Sequence, residues 1–317
     1  MTFRIELEAP DISAYAKGNT GIPYVTTFDS GAPGPHVMVN AVTHGNEICG
    51  AITLDRLFRQ DLRPIRGRLT LGFANVDAYL RFNPARPTAS RYVNEDFNRL
   101  WSPEVLDGPR HSSELSRARI YRPFIDTVDF LLDLHSMQQP SPPLMLAGPL
   151  EKGRLLAAGV GVPTYVVADS GHAAGRRLRD YGNFGDPTSP RSALLVECGQ
   201  HWEAASAAVS LETTLRFLRY LEVIDPQFAE EHGVSVTPPA QKFIEVTDAV
   251  TAKSNDFRFV RPYTGAEVIA QAGSVIAYDG ETAIRTPYDQ CVLIMPSLRL
   301  YPGQTAVRLG RLVSAPN

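Results

Sequence analysis

Five short apolar runs, Pro35 to Thr43, Arg68 to Asn75, Phe130 to Leu134, Pro163 to Ala168 and Ala193 to Glu197, constrain this chain more than any other feature. None alternates apolar with polar residues as a half-exposed strand does, and patterns of helical period separate them. Unalternating strands are buried on both faces, so the spacing predicts a largely parallel or mixed sheet with helices on either side, an α/β/α sandwich. Helices are expected at Ile48 to Arg59, Ser113 to Asp126 and Trp202 to Leu221. A strand at Tyr24 to Phe28 stands between two turn-rich stretches.

The texture changes near Thr237-Pro-Pro239. From Lys242 onward, strand-length runs (Phe243 to Val246, Val268 to Ala270, Val275 to Tyr278, Cys291 to Met295) are punctuated by Gly, Asp and Pro. This predicts a small C-terminal all-β domain, with residues 1–236 as the larger domain and 237–317 as the smaller.

Composition narrows the function. A net charge of -3 over 317 residues gives no basic footprint for nucleic acid or an anionic membrane surface. No apolar stretch approaches the length of a spanning helix. The acidic N-terminal stretch lacks the apolar core of a signal peptide. Cys49, Cys198 and Cys291 are odd in number and far apart, which argues for a reducing compartment, so a soluble cytoplasmic protein is expected. Homo-oligomerisation is left open.

In open α/β sheets, ligands bind beyond the carboxyl ends of the strands. There, His44-Gly-Asn-Glu47 follows the first strong strand, His135 follows Phe130-Leu-Leu-Asp-Leu134, and Glu197 ends Ser192-Ala-Leu-Leu-Val196. Two His and one carboxylate, His44, Glu47 and His135, form the donor set of a zinc ion with an open position for water, as in catalytic sites. Glu197, at a buried strand end, is the candidate to move that water's proton. The same His-x-x-Glu spacing recurs at His111-Ser-Ser-Glu114, with no strand before it, and reads as a helix start or surface. His36, His172, His201 and His232 are expected in surface or loop roles.

A second cluster is Arg91-Tyr-Val-Asn94-Glu-Asp96-Phe-Asn98-Arg99. An Arg fork beside an Asn amide makes a compact clamp for a carboxylate, Asn98 with Arg99, and a second Arg, Arg91, suits a developing oxyanion. The competing reading is an ion-pair network with Glu95 and Asp96. The Gly-rich loop Asp169 to Gly185 is a candidate substrate wall, with Arg177 or its neighbours Arg176 and Arg179 meeting an acidic group; a solvated loop is the alternative. Tyr301 is a further candidate for a substrate-facing hydroxyl. Cys198, next to Glu197, is assigned to packing, because a buried thiol beside a carboxylate is inert.

These motifs, His44-Gly-Asn-Glu47, Arg91 to Arg99, Asp133-Leu-His135 and Glu197, in this order, resemble the succinylglutamate desuccinylase/aspartoacylase family, relatives of the zinc carboxypeptidases. The resemblance spans roughly residues 35–225 and, more loosely, the β domain. It implies one zinc per chain on His44, Glu47 and His135, Glu197 as general base and acid, Arg91 polarising a carbonyl, and Asn98 with Arg99 holding a substrate carboxylate. The implied reaction is hydrolysis of an N-acyl amino acid, or a similar small amide bearing a carboxylate, with the β domain narrowing the site. The sequence departs from the family at Phe97, where Leu is usual, and at Trp101, where Phe is common. A metallocarboxypeptidase acting on short peptides and a non-catalytic carboxylate-binding relative are the alternatives.

Overall fold

The computed structural model describes residues 4–171, 174–234, 237, 239–298 and 300–316; His172 and the junction residues 235, 236 and 238 lie outside them. The strands are β1 (Val25–Asp29), β2 (His36–Ala41), β3 (Arg68–Phe73), β4 (Phe130–Met137), β5 (Leu144–Leu146), β6 (Tyr165–Ala168), β7 (Ser192–Gln200), β8 (Lys242–Thr251), β9 (Phe257–Phe259), β10 (Glu267–Ile269), β11 (Val275–Asp279), β12 (Thr282–Arg285), β13 (Cys291–Ile294) and β14 (Thr305–Val313). Eleven of them form one mixed sheet in the order β1-β3-β2-β4-β7-β5-β6-β8-β14-β13-β10. The remaining three make a small antiparallel sheet, β12-β11-β9.

At the centre, β3, β2, β4 and β7 run parallel. Helices cover both faces, as the unalternating runs require. Along β2, Val37, Val39 and Ala41 enter one core while Met38 enters another. The first core is closed by α1 (Ile48–Arg59), which follows β2, and later by α5 (Glu151–Val160) and α6 (Ala204–Tyr220). The second lies under α4 (Ser113–Ile125), whose Leu115, Ala118, Tyr121 and Ile125 recur at helical spacing. Ser112 caps α4 by accepting from the Leu115 N–H at 2.9 Å. Short helices α2 (Val76–Tyr79), α3 (Pro103–Leu106) and α7 (Pro226–Glu231) complete the set. No helix among the described residues is long and apolar enough to cross a membrane.

Two strands outrun their apolar stretches. β4 continues through His135 to Met137 and β7 through Glu197 to Gln200, because His135 and Glu197 face each other as ladder partners. Polar residues thus occupy strand positions that hydropathy places beyond a strand's end. β5, α5 and β14 are not anticipated by the sequence patterns. After α7 the described chain is all strand, as expected, yet it does not close on itself: β8 pairs in parallel with β6, and β14, β13 and β10 extend the same sheet.

His36 departs from its expected surface role and is 2% exposed at the start of β2. Its Nδ1 faces the Thr127 carbonyl at 3.0 Å and so carries the proton, while Nε2 lies 2.8 Å from the Thr70 hydroxyl and accepts from it. Burial, then the nearby Arg68 charge, pushes the imidazole down to about 4 from its ordinary 6.5. The unfolded chain therefore takes up a proton near pH 6.5 that the folded protein refuses until about pH 4, and folding stability falls as pH is lowered through that window. Urea midpoints measured from pH 7 to 4 should show this loss, with a shallower slope for His36→Gln; equal slopes would contradict the assignment.

Candidate metal centre and substrate cavity

The chain leaves β2 through Val42, whose φ of 54° is costly for a β-branched residue. The turn carries Thr43 and His44 over the sheet edge and starts α1 at Ile48, directly after Glu47. Gly45 has no room for a side chain: a Cβ there would stand 2.3–2.5 Å from backbone atoms of Ala78, Ser90 and Tyr79. The loop is thereby pressed against the segment leading to Arg91, whose carbonyl accepts from the Gly45 N–H at 3.1 Å.

Glu47 is buried between two imidazoles. Its Oε1 is 2.8 Å from His44 Nδ1 and its Oε2 is 2.8 Å from His135 Nδ1. One donor atom from each of the three lies within 4.8 Å of the others. The far nitrogens are held by other carboxylates: His135 Nε2 is 2.8 Å from Asp133 Oδ2, and His44 Nε2 is 2.9 Å from Asp96 Oδ1. Carboxylates on the outer nitrogens fix ring orientation and leave the inner nitrogens for a cation, which is the outer shell of a zinc site. Asp133 is itself fully used, its Oδ1 accepting from Asn40 Nδ2 (2.7 Å) and the Thr43 hydroxyl (2.9 Å), with Tyr121 donating to Asn40 Oδ1 behind it. Burial alone would push the Glu47 carboxyl up, but the charges of His44 and His135 overcome it and hold the group well below the usual carboxylate range. Two imidazole nitrogens, once they give up the protons that charge them, and a carboxylate are the donor chemistry that zinc takes.

Glu197 stands beside His135 with its Oε2 sealed from solvent and without a hydrogen-bond partner. Burial, then the Glu47 charge, raises it to about 8. An unpartnered buried oxygen requires an explanation, and a reacting proton supplies one.

Arg91 reaches the same group: Nη1 donates to Glu47 Oε1 (3.3 Å), and Nη2 donates to Asp96 Oδ2 (3.1 Å) and lies 2.9 Å from His44 Nε2. Its loop is pinned from below by Glu114, which accepts from the N–H groups of Val93 (2.6 Å), Asn94 (3.1 Å) and Glu95 (3.3 Å). Glu114 is fully buried, which replaces the expected surface or capping role, while His111 is exposed as expected. Asn98 Oδ1 accepts from the Leu178 N–H at 2.8 Å, leaving the amide's donors, and Arg99 lies alongside with Nη1 on the Asn98 carbonyl at 2.7 Å. The ion-pair alternative for this cluster holds in part, since Asp96 gathers Arg91, Arg99 and His44.

These side chains line a cavity of about 230 Å³ with Ser136, Gln138, His201 and, from the C-terminal strands, Met295, Thr305 and Arg308. Of the loop arginines only Arg177 borders it. Its guanidinium is gripped bidentately by Asp169 (3.0 and 2.7 Å) and through Nε by Asp180 (2.6 Å). Arg179 is buried on the carbonyls of Ala147 and Ala193. Arg308 on β14 is the cation that sequence reasoning missed; its nearest counter-charge is Asp169, 3.7 Å from Nε. An Arg in an unrecognised strand offered no signal. Tyr301 is 69% exposed and lies outside the cavity lining. His201 lies in the turn directly after β7, in keeping with a loop role, but it is buried in the lining rather than on the surface. Cys49, Cys198 and Cys291 are all free and buried, and burial pushes the Cys198 thiol well above its ordinary value, in keeping with packing.

A family profile, the succinylglutamate desuccinylase/aspartoacylase catalytic domain, matches residues 33–221, which include His44, Glu47, Arg91, Asn98, Arg99, His135 and Glu197. The chain belongs to this family. None of the curated proteins compared matches its sequence. Solved structures share the fold. Succinylglutamate desuccinylase from Vibrio cholerae is 17% identical with a TM-score of 0.66, covering 92% of this chain and 86% of its own. That from Chromobacterium violaceum is 17% identical with a TM-score of 0.65, covering 93% and 90%. The ectoine utilization protein EutE (DoeB) from Ruegeria pomeroyi, solved with product bound, is 15% identical with a TM-score of 0.62, covering 90% and 88%. At these identities the likeness concerns the fold.

The desuccinylase/aspartoacylase fold thus presents His44, Glu47 and His135 with outer carboxylates already in place. Because Asp133 is the partner of His135 Nε2 among the described residues, Asp133→Asn should weaken binding of added zinc by about 10–100-fold in a chelator competition titration. Unchanged affinity would show that the outer carboxylate does not tune the site.

Proposed function

We propose that this protein is a zinc-dependent deacylase that hydrolyses the amide bond of an N-acyl amino acid, or a related small carboxylate-bearing amide, to a carboxylate and an amine. The observation that carries the reading is the buried, unpartnered Glu197 Oε2 beside a His44–Glu47–His135 donor set. One zinc per chain would be held by those three residues. When bound, zinc supplies Lewis-acid chemistry that lets water act as a nucleophile near neutral pH.

The chain's own residues divide the remaining work. The Glu197 carboxylate accepts a proton from the attacking water as the C–O bond forms, and delivers it to the amide nitrogen as the C–N bond breaks. Its raised affinity for a proton suits it to take that proton up and hold it until the amide nitrogen leaves. Arg91, whose guanidinium donates to Glu47 Oε1 and Asp96 Oδ2 at the cavity wall, would polarise the carbonyl oxygen. Asn98 and Arg99 receive the amino-acid carboxylate. Residues 1–236 form the catalytic domain in this reading, and residues 237–317, through Thr305 and Arg308, restrict the cavity to small substrates. The three unpaired cysteines support a cytoplasmic location.

Zinc-loaded protein assayed on N-acetyl and N-succinyl amino acids against short peptides tests the substrate class, with turnover confined to the peptides counting against it. Glu197→Gln should keep its zinc and lose about 10²–10⁴-fold in kcat. Full activity in that variant would remove Glu197 from the mechanism. Arg99→Met should raise KM by about ten-fold or more with a smaller change in kcat.

A further inference from the structure

His201 is a cavity residue that the mechanism above leaves unused. It follows β7, four positions beyond Glu197, and its backbone N–H donates to the Met137 carbonyl at 2.9 Å, so it is anchored to the end of β4. The side chain is 2% exposed and borders the cavity. Its Nδ1 lies 2.8 Å from the Ser136 hydroxyl, and the Ser136 N–H in turn donates to Glu47 Oε2 at 3.2 Å. The ring is thus fixed from one side by the residue next to His135, and it packs against the Trp202 ring on another. Nε2 has no partner among the described residues, yet it is not among the polar atoms sealed from solvent. In a buried ring that borders the cavity, such an atom opens onto the cavity.

Its place relative to the other walls follows from what each is tied to. His201 is held by Ser136 and Met137 at the end of β4, beside Glu47, whereas Asn98, next to Arg99, accepts from Leu178, the neighbour of Arg177, and Asp169 pairs with both Arg177 and Arg308. Arg91, paired with Glu47 and with the Asp96 that Arg99 also meets, lies between the two sets. Arg99 therefore faces the side closed by Arg177 and Arg308, and His201 belongs to the metal-ligand side. If Asn98 and Arg99 take the amino-acid carboxylate, the half of the substrate left for His201 is the acyl group.

We propose that His201 is a specificity-determining residue: oriented by Ser136, it presents Nε2 to a polar atom of the substrate's acyl group. This rests on the deacylase reading. An uncharged, rigid imidazole selects by hydrogen bond rather than by net charge, so it favours acyl chains that place an oxygen within reach, as a succinyl chain does and an acetyl group does not. An acyl chain lacking that oxygen leaves Nε2 unpaired once water is displaced, which is the costly outcome for a buried polar group.

Two amide substitutions separate contact from packing. Gln places its amide near the position of Nε2, and Asn places its amide near Nδ1. Steady-state kinetics on matched N-succinyl and N-acetyl amino acids, with zinc content and melting temperature measured in parallel, should show His201→Asn losing about ten-fold or more of the succinyl-over-acetyl preference in kcat/KM. His201→Gln should recover most of it, and both variants should retain zinc and stability. Equal preferences in wild type, Asn and Gln variants would overturn the proposal, as would a loss of preference that tracks loss of zinc or of melting temperature. A wild-type protein that binds zinc but turns over none of these substrates would instead reject the deacylase reading, and this inference with it.

Discussion

The buried carboxylate of Asp133 is the point through which the site is attached to the sheet. Asn40 of β2, Thr43 of the turn beyond it and His135 of its own strand all donate to it. A carboxylate with no solvent exposure is tolerable only when its oxygens are hydrogen-bonded, and here both are, by three donors from β2, the turn beyond it and β4. The same match sets the height of the His44 loop above β4. Register between β2 and β4 and the orientation of a metal-binding ring are therefore one constraint: Asn40 and Asp133 are ladder partners, and one hydrogen bond joins them.

Charge is distributed around the cavity with similar economy. Arg91, Arg99, Arg177 and Arg308 all border it, but they are not equivalent. Arg177 is matched by Asp169 and Asp180 and acts as a brace, whereas Arg308 has one counter-charge at 3.7 Å and Arg99 has one at 3.9 Å. Under-compensated guanidinium groups in a half-buried cleft favour an anionic ligand. Burial and the Glu47 charge push Glu197 in that cleft up to about 8, within reach of proton exchange near neutrality.

Much of this was legible in the sequence where it depended on local pattern. Strand β2, helix α1 and the positions of His44, Glu47, His135 and Glu197 follow from apolar runs and from the rule that α/β sheets bind at strand ends. What escaped was non-local. Nothing around Glu114 shows that its carboxylate folds under residues 93–95, since those N–H groups lie about one helix away in sequence. Arg177 and Arg308 look alike as residues, and only the fold shows that Asp169 neutralises the first more fully than the second. The burial of His36 and His201 has no local signal, because a lone His has no periodic signature and burial at a strand end is a property of the sheet.

The joining of β8 to β6 has a consequence for how the molecule comes into being. Residues 242–313 do not merely dock on a finished hydrolase: they cover the otherwise open edge of β6 and carry Arg308 to the cavity. During synthesis His44, Glu47 and His135, all before residue 136, emerge well ahead of the strand that carries Arg308. For that interval the nascent chain carries this donor set without the wall that Thr305 and Arg308 supply, with the edge of β6 bare and open to pairing with other chains. One step, the pairing of β8 with β6, both removes the exposed edge and brings the remaining wall to the cavity.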